Sequence, residues 1–351
     1  RPFSASLTAD WFTASGLLAS LVKQGGALGK MVRSIYGIIT YAIRLHRLNA
    51  ISRHRDWYLG IITACPNLVE IDIATHTLDE LEGVVDALPK SGSKLSVVNF
   101  AKFGTGGLPF ACSDHVTRKV LRHPALQNIT HVSLHRLEPD LGDSTPLITQ
   151  PIQSLSIDNN YRDSSRARQL MPLDCSNLLC FKLTTWIRYS HIVTYLALLP
   201  STIQDLSLNI TNDCEIKTLL DYTSRPSGDT KIPLDALSPF PDLLSFRLYQ
   251  FPTLSPSLLS TLATSSPLLT SISFKRSIWI LDNPHNKQVL WVHHCEDVFP
   301  LSEIIIKLKR FKFLRRVHLG HVPALEQTVI GLKEAKCYEL TLGETRTMGK
   351  S

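Results

Sequence analysis

The chain has 351 residues, 44% hydrophobic and 19% charged, and carries a net charge of +7 from 37 Lys plus Arg against 30 Asp plus Glu. That composition excludes a disordered or low-complexity polypeptide, and the length suffices to bury a core without disulfides or a structural metal. The modest positive balance leans towards acidic partners, and no RNP motif, zinc-finger spacing or aromatic-interleaved basic strip points to nucleic acid.

The sequence begins at Arg1 with no signal-peptide pattern, so it reads as an internal fragment or as a product lacking its true start. The uncharged run from Ser34 to Ile43 is bounded by Arg33 and Arg44 and is too short to span a bilayer, which argues against a membrane role. Residues 1–60 are expected to form an N-terminal helical cap and a first irregular repeat, with Trp11, Leu17, Leu18, Leu21 and Val22 covering the first strand. Seven cysteines are scattered at 65, 112, 175, 180, 214, 295 and 337 with no C-x-x-C spacing. Neither a disulfide framework nor a zinc knuckle follows, and a reducing cytoplasmic or nuclear setting fits.

From residue 61 to 351 one pattern recurs: apolar-x-x-apolar-x-apolar. It reads Leu68, Ile71, Ile73; Leu95, Val98, Phe100; Ile129, Val132, Leu134; Ile152, Leu155, Ile157; and Leu178, Phe181, Leu183. It continues as Ile203, Leu206, Leu208; Leu243, Phe246, Leu248; Leu269, Ile272, Phe274; Leu314, Val317, Leu319; and Cys337, Leu340, Leu342. Ten such matches are about what chance gives in a chain this long, so the context carries the signal. Six copies have a proline one to three residues ahead of the first apolar position: Pro66, Pro124, Pro151, Pro200, Pro241 and Pro267. Six of the nine spacings between copies lie between 23 and 27 residues, a leucine-rich repeat length.

The last two apolar positions share one face of a strand, because side chains alternate. Helix-like stretches separate the copies, as in Leu78 to Leu88, Ser190 to Leu199 and Pro256 to Ala263, and a following proline stops each helix. One unit cannot bury its own apolar face, so units stack and share a core. The predicted fold is an α/β leucine-rich repeat solenoid: an arc with a concave parallel sheet and outer helices.

Two insertions interrupt the array, near 221–236 and 277–300. The first holds the turn-rich Ser224 to Asp229. The second reads as a hairpin, with apolar runs at Ile278–Leu281 and Gln288–Val292 around Asp282 to Lys287. Insertions of this kind either bind partners or decorate the surface. His285, His293, His294, Cys295 and Glu296 form the densest ligand-type cluster, but neighbouring histidines on a strand face opposite ways. Surface or structural histidines fit better than a metal-dependent hydrolase site, so no metal, catalytic residue or cofactor is expected. The basic run Lys307, Lys309, Arg310, Lys312, Arg315 and Arg316 reads as the solvated face of a helix whose apolar face is Ile304, Ile305, Leu308 and Phe311.

Cys65-Pro66-Asn67-Leu68-Val69-Glu70-Ile71-Asp72-Ile73 resembles the "CPNL-x-x-L-x-L" unit of F-box/leucine-rich repeat proteins. Leu17 to Leu21, then Leu28 to Ile35, is similar to the segment after the F-box in fungal members, where a leucine-rich helix leads into an "LVRSL" strand. No F-box is found in the chain: no Leu-Pro opening precedes a three-helix pattern with a Trp-bearing third helix. Such a domain would precede Arg1. The resemblance implies the substrate-binding repeat array of an F-box subunit in an SCF-type ubiquitin ligase. Its contact with a Skp-type adaptor and cullin would run through the F-box outside this sequence. A leucine-rich repeat scaffold or receptor module unrelated to ubiquitin is the alternative.

The strand residues between the apolar positions should line the concave face. They are Glu70 and Asp72 near the start, then small and polar through Ser154, Ser156, Asp205, Ser207 and Asn209. Towards the C-terminus they become Ser245, Arg247, Tyr249, Ser271, Ser273, Lys275, Arg316 and His318. The expected partner-binding residues are Arg247, Tyr249, Lys275, Arg316 and His318, and the expected ligand is an acidic or phosphorylated protein segment. The competing reading is that these cations only keep the face soluble.

Overall fold

The computed structural model describes residues 5–8, 27–36, 59–73, 87–88, 95–100, 114–135, 145–159, 167–185, 189–210, 240–249, 254, 257–274, 301–319 and 339–341. The chain divides into two compact units, Arg1–Asn159 with Arg168–Asn177, and Asn160–Ala167 with Leu178–Ser351.

Unit 1 contains β1 (Ala5–Thr8), β2 (Val32–Tyr36), β3 (Glu70–Ile73), β4 (Val97–Phe100), β5 (His131–His135) and β6 (Ser154–Asn159). Each pairs in parallel with the next in chain order. Unit 2 repeats the plan with β7 (Cys180–Thr185), β8 (Asp205–Ile210), β9 (Ser245–Tyr249), β10 (Ser271–Ser273), β11 (Arg316–His318) and β12 (Glu339–Thr341). These too are parallel and sequential. All ten copies of the apolar pattern are strands, and β1 and β2 precede them. Parallel neighbours one repeat apart, most supplied by a stretch of about 25 residues, define an α/β leucine-rich repeat solenoid.

The pairing is in register with the pattern. In unit 2 the second apolar position runs Phe181, Leu206, Phe246, Ile272, Val317 from strand to strand. All five are buried, as are Leu183, Leu208, Leu248, Phe274 and Leu319 at the third position. The leading residues are buried as well, from Leu68, Leu95, Ile129 and Ile152 in unit 1 to Leu178, Ile203, Leu243, Leu269 and Leu314 in unit 2. Their role is to close a turn. The Leu68 N–H donates to the Cys65 carbonyl, Ile203 to Pro200, Leu243 to Phe240 and Leu269 to Ser266. The residue three before the leading position is thus an anchor under the turn; Cys65, Phe240 and Ser266 are buried there.

A second backbone device repeats at each strand start. The Ser96 carbonyl accepts the N–H groups of both Thr130 and His131, and the Thr130 carbonyl those of Gln153 and Ser154. In unit 2 the Leu179 carbonyl takes Gln204 and Asp205, Gln204 takes Leu244 and Ser245, Leu244 takes Thr270 and Ser271, and Thr270 takes Arg315 and Arg316. The turn N–H groups, which no strand ladder would pair, are satisfied this way.

Five helices matter below: α1 (Ala27–Met31), α2 (Asp114–Leu121), α3 (Tyr189–Leu196), α4 (Ser257–Ser265) and α5 (Leu301–Leu308). α3 and α4 fall on the stretches expected to be helical. Their buried residues follow helical spacing: Ile192, Tyr195 and Leu196 in α3, and Leu258, Leu259 and Leu262 in α4. α1 leads straight into β2, in the order that the "LVRSL" likeness implied. Its Gly29 is buried against the chain before β3, where an added Cβ would lie 1.9 Å from the Ala64 carbonyl oxygen. The C-P-N-L unit also has a physical basis. Cys65 and Leu68 are the buried anchor and leading residue, while the Asn67 side-chain amide donates to the Lys30 carbonyl at 2.9 Å. Arg33 returns a bond from Nη1 to the Asn67 carbonyl at 3.0 Å, tying this turn to the preceding repeat.

One expectation is corrected. The basic run is not one helical face. α5 ends at Leu308, where Arg310 and Phe311 donate to Lys307 and Leu308 in tight i→i−3 turns. Of the six cations only Lys307 lies on the helix, paired with Glu303 at 2.6 Å. Lys309, Arg310, Lys312 and Arg315 lie in the exposed turn, and Arg316 opens β11. The spacing misleads because Phe311 is buried as the turn anchor, the place that Phe240 and Ser266 hold in earlier repeats.

Residues 9–26, the two insertions near 221–236 and 277–300, and the His285 to Glu296 cluster lie outside the described residues, as does nearly all of Leu78 to Leu88. Among the described residues, no helix is long and apolar enough to cross a membrane.

Candidate interaction face

The face of each sheet turned away from the core is built from the residues between the apolar positions, so its composition follows from register. In unit 1, Ser34 faces Glu70 and Asp72 faces Asn99. Glu70 accepts from the Ser34 hydroxyl at 3.3 Å and from the Asn99 amide at 3.4 Å, joining three consecutive strands through one carboxylate. Further along, Ser133 pairs with Ser156 and His135 with Asp158.

In unit 2 the first row of this face is Cys180, Asp205, Ser245, Ser271, Arg316 and Glu339. The second is Lys182, Ser207, Arg247, Ser273, His318 and Thr341. Thr184, Asn209 and Tyr249 form a third. Small serines beside the cations leave them raised above the sheet.

Of the five residues expected to bind a partner, Arg247, Tyr249, Arg316 and His318 lie on this face, and Lys275 lies just past the described end of β10. Arg247 and Arg316 are exposed, while Tyr249 and His318 are half-buried. Arg247 and His318 share a row; Arg316 is one row earlier, level with Ser271. Two strands and one row separate the two arginines, roughly 12 Å between Cα atoms at ordinary sheet spacings. They therefore form two anchoring points rather than a single cationic cluster.

Arg247 is already held. Its Nη2 donates to Asp205 on β8 at 2.7 Å and its Nε to Ser245 on its own strand at 3.3 Å. With side-chain exposures of 45% and 31%, this pair contributes little to stability but fixes where the guanidinium points. Burial pushes the Asp205 carboxyl above its ordinary range, and Arg247 pulls it back. The neighbouring Cys180 thiol is raised first by burial and then by Asp205, with Arg247 acting the other way. The sequence reading placed Asp205 among the polar residues of this face without pairing it to Arg247. Register holds the missing step: Ser207 faces Arg247, and Asp205 is the next residue on that side of β8.

Among the described residues, no group of His, Cys, Asp and Glu is disposed to hold a metal ion. Cys65 is buried, and its thiol is pushed up to about 11 by the loss of solvent around it.

No protein-family model matches the chain, and no curated protein does. Solved structures of similar fold include the leucine-rich repeat-containing protein LegL7 from Legionella pneumophila, at 13% identity and TM-score 0.45, covering 97% of this chain and 90% of that one. Another is the complex of Rad7 and Elc1 in yeast, at 14% identity and TM-score 0.46, covering 97% of this chain and 87% of that one. Superpositions this loose carry no functional argument, and the fold rests on the repeat ladder itself.

Proposed function

We propose that the chain is a non-catalytic protein-recognition module that binds an acidic or phosphorylated segment of a partner across the open face of unit 2. The observation that carries this reading is the pre-oriented Arg247, standing exposed among serines with Arg316 and His318 both on the next strand but one. An arginine held in place by Asp205 and Ser245 loses less freedom when it takes a carboxylate or phosphate. Asp205 then competes with the ligand, which disfavours neutral partners and rewards strongly anionic ones. Tyr249, in the next row of β9, extends the same surface.

The C-P-N-L likeness adds a more specific reading. On it, this array is the substrate-holding part of an F-box subunit of an SCF-type ubiquitin ligase, whose Skp-type adaptor and cullin dock elsewhere on the protein. Its contribution would be positional, raising the effective concentration of substrate lysines near the charged enzyme.

Affinity capture from a lysate tests the open-face reading. The wild-type chain should retain a partner that an Arg247→Glu, Arg316→Glu variant of unchanged melting temperature loses. Retention by that variant rejects the face. Sequencing the coding region upstream of Arg1 tests the ligase reading, which fails if no Leu-Pro-initiated three-helix F-box precedes the array.

A further inference from the structure

Three large apolar side chains stand exposed on successive repeats of unit 2: Leu244 at 39%, Leu268 at 42% and Phe313 at 51%. All lie at the strand-start edge, below the open face discussed above. Leu268 and Phe313 each immediately precede the leading residue of their repeats, Leu269 and Leu314, and so stand one strand apart at the same level. Leu244 begins the adjoining row, in which Thr270 donates to its carbonyl at 2.9 Å and Arg315 to that of Thr270 at 2.8 Å.

The fold does not require apolar residues just before the leading position. There the other repeats carry Asn67, Lys94, Asn128, Pro151, Asn177, Thr202, Asp242 and Lys336, seven of them polar or charged. Just after it, where Leu244 stands, Val69 and Leu179 are apolar too, so Leu244 only adds exposed apolar area beside the pair. Isolated exposed leucines need no explanation, but Leu268 and Phe313 at the same level of adjacent repeats, in a place that is otherwise polar or proline, mark a contact surface.

The charge beside it identifies the occupant. From Lys309 to Arg316 the chain carries five cations and no carboxylate, and Lys309, Arg310, Lys312 and Arg315 are exposed around Phe313. Leu268 and Phe313, about 5 Å apart at strand spacing with Leu244 in the adjoining row, make a small apolar patch that one or two side chains of an extended segment can cover. We propose that this edge docks an extended peptide segment of a partner protein in which apolar residues alternate with Asp or Glu. Leucine or phenylalanine anchors would pack on Leu244, Leu268 and Phe313, and the carboxylates would meet the cations around Phe313. The surface is separate from Arg247, so it does not depend on the reading of the open face.

Fluorescence anisotropy with a short labelled peptide alternating Asp with Leu and Phe tests this on the whole chain. The wild type should bind, and more weakly as salt rises. A Leu268→Asp, Phe313→Asp variant should bind at least about tenfold more weakly. Lys312→Glu with Arg315→Glu should give a similar loss and flatten the salt dependence. The control peptide with Ser in place of Leu and Phe should bind more weakly than the test peptide, and that difference should persist in Arg247→Glu, which separates this site from the open face. No binding by the wild type, or equal binding by the Leu268, Phe313 variant, overturns the proposal. Binding of phosphatidylserine vesicles or a single-stranded oligonucleotide through these residues, in preference to the peptide, overturns it too.

Discussion

Unit 1 and unit 2 are built on the same strand-ladder plan and fill it differently. Unit 1 leans on aliphatic strand residues, Ile71, Val98, Val132 and Leu155, and on polar side chains that cap backbone. Arg118 on α2 is buried and donates from Nη1 to the Thr145 carbonyl at 2.5 Å, the Thr145 hydroxyl at 2.6 Å and the Pro146 carbonyl at 3.0 Å. Gln150 is buried too and donates to the Leu121 carbonyl at the end of that helix. Unit 2 fills its interior with rings. Phe181 meets Tyr195 of α3 at 6.1 Å between centroids, and Phe246 meets Phe274 edge-on at 6.4 Å. Where irregular loop replaces helix, as at 145–153, backbone carbonyls need partners and polar side chains supply them. Where helices return regularly, the backbone largely pairs with itself and the core is mostly apolar, with Ser266, whose hydroxyl donates to the Phe240 carbonyl at 2.8 Å, a buried polar exception.

The contrast can be broken from either side. Phe246→Ala should cost about 3–5 kcal/mol in a denaturant melt, because the ring is wholly buried between repeats. A loss below about 1 kcal/mol would mean that the ring is not core. Gly29→Ala in unit 1 should cost about 1–3 kcal/mol or more, since its Cβ would overlap backbone that cannot step aside. Unchanged stability would show α1 free to move off Ala64. Arg118→Met keeps the bulk and removes the donors, and should cost about 1–3 kcal/mol through the stranded carbonyls of Thr145 and Pro146. If its melt matched the wild type, the claim of polar bridging in unit 1 would fall.

Two smaller effects depend on pH. The folded chain holds the Cys65 proton more tightly than an ordinary thiol does, up to about 11 from 9.0. Its contribution is therefore complete below the ordinary value and is lost as pH rises through the folded one. Cys65→Ala should flatten that alkaline part of the melting-temperature profile. Asp205 works in the same sense at acid pH. Its raised carboxyl favours the protonated fold, so its contribution is present below the ordinary carboxylate range and is lost as pH rises through the raised value. Asp205→Asn should therefore compare better with the wild type at neutral pH than at acid pH, by less than about 1 kcal/mol. The same variant removes the competing carboxylate together with its hold on Arg247, and should weaken the preference of the open face for strongly anionic partners over neutral ones.

Much of the ladder was legible because one rule governs it. Three apolar residues at fixed spacing located ten strands, and the same spacing gave the register of Phe181, Leu206, Phe246, Ile272 and Val317. β2 broke the rule: Val32 and Ile35 fit, but Gly37 stands at the third position, so only the family likeness pointed to a strand there. β1 broke it further, with Ser4 and Ala9 flanking Leu7 where larger apolar residues would stand. The end of α5 was missed because a turn anchor and a helical face both demand an apolar residue three beyond Leu308. The spacing put Arg247 and Tyr249 on β9 and Arg316 and His318 on β11, but which cation shares a row with which depends on counting register, not on nearness in the motif.

The doubled acceptors at the strand starts give the array a direction. In every pair the carbonyl belongs to the earlier repeat and the two N–H groups to the later one. A repeat removed from the C-terminal side leaves behind a carbonyl, which water readily serves. A repeat removed from the N-terminal side leaves two adjacent donors stranded at the mouth of a buried turn. Each repeat is thus received by a template already in place when the chain emerges N-terminus first, and assembly in the order of synthesis is the route that strands the fewest donors.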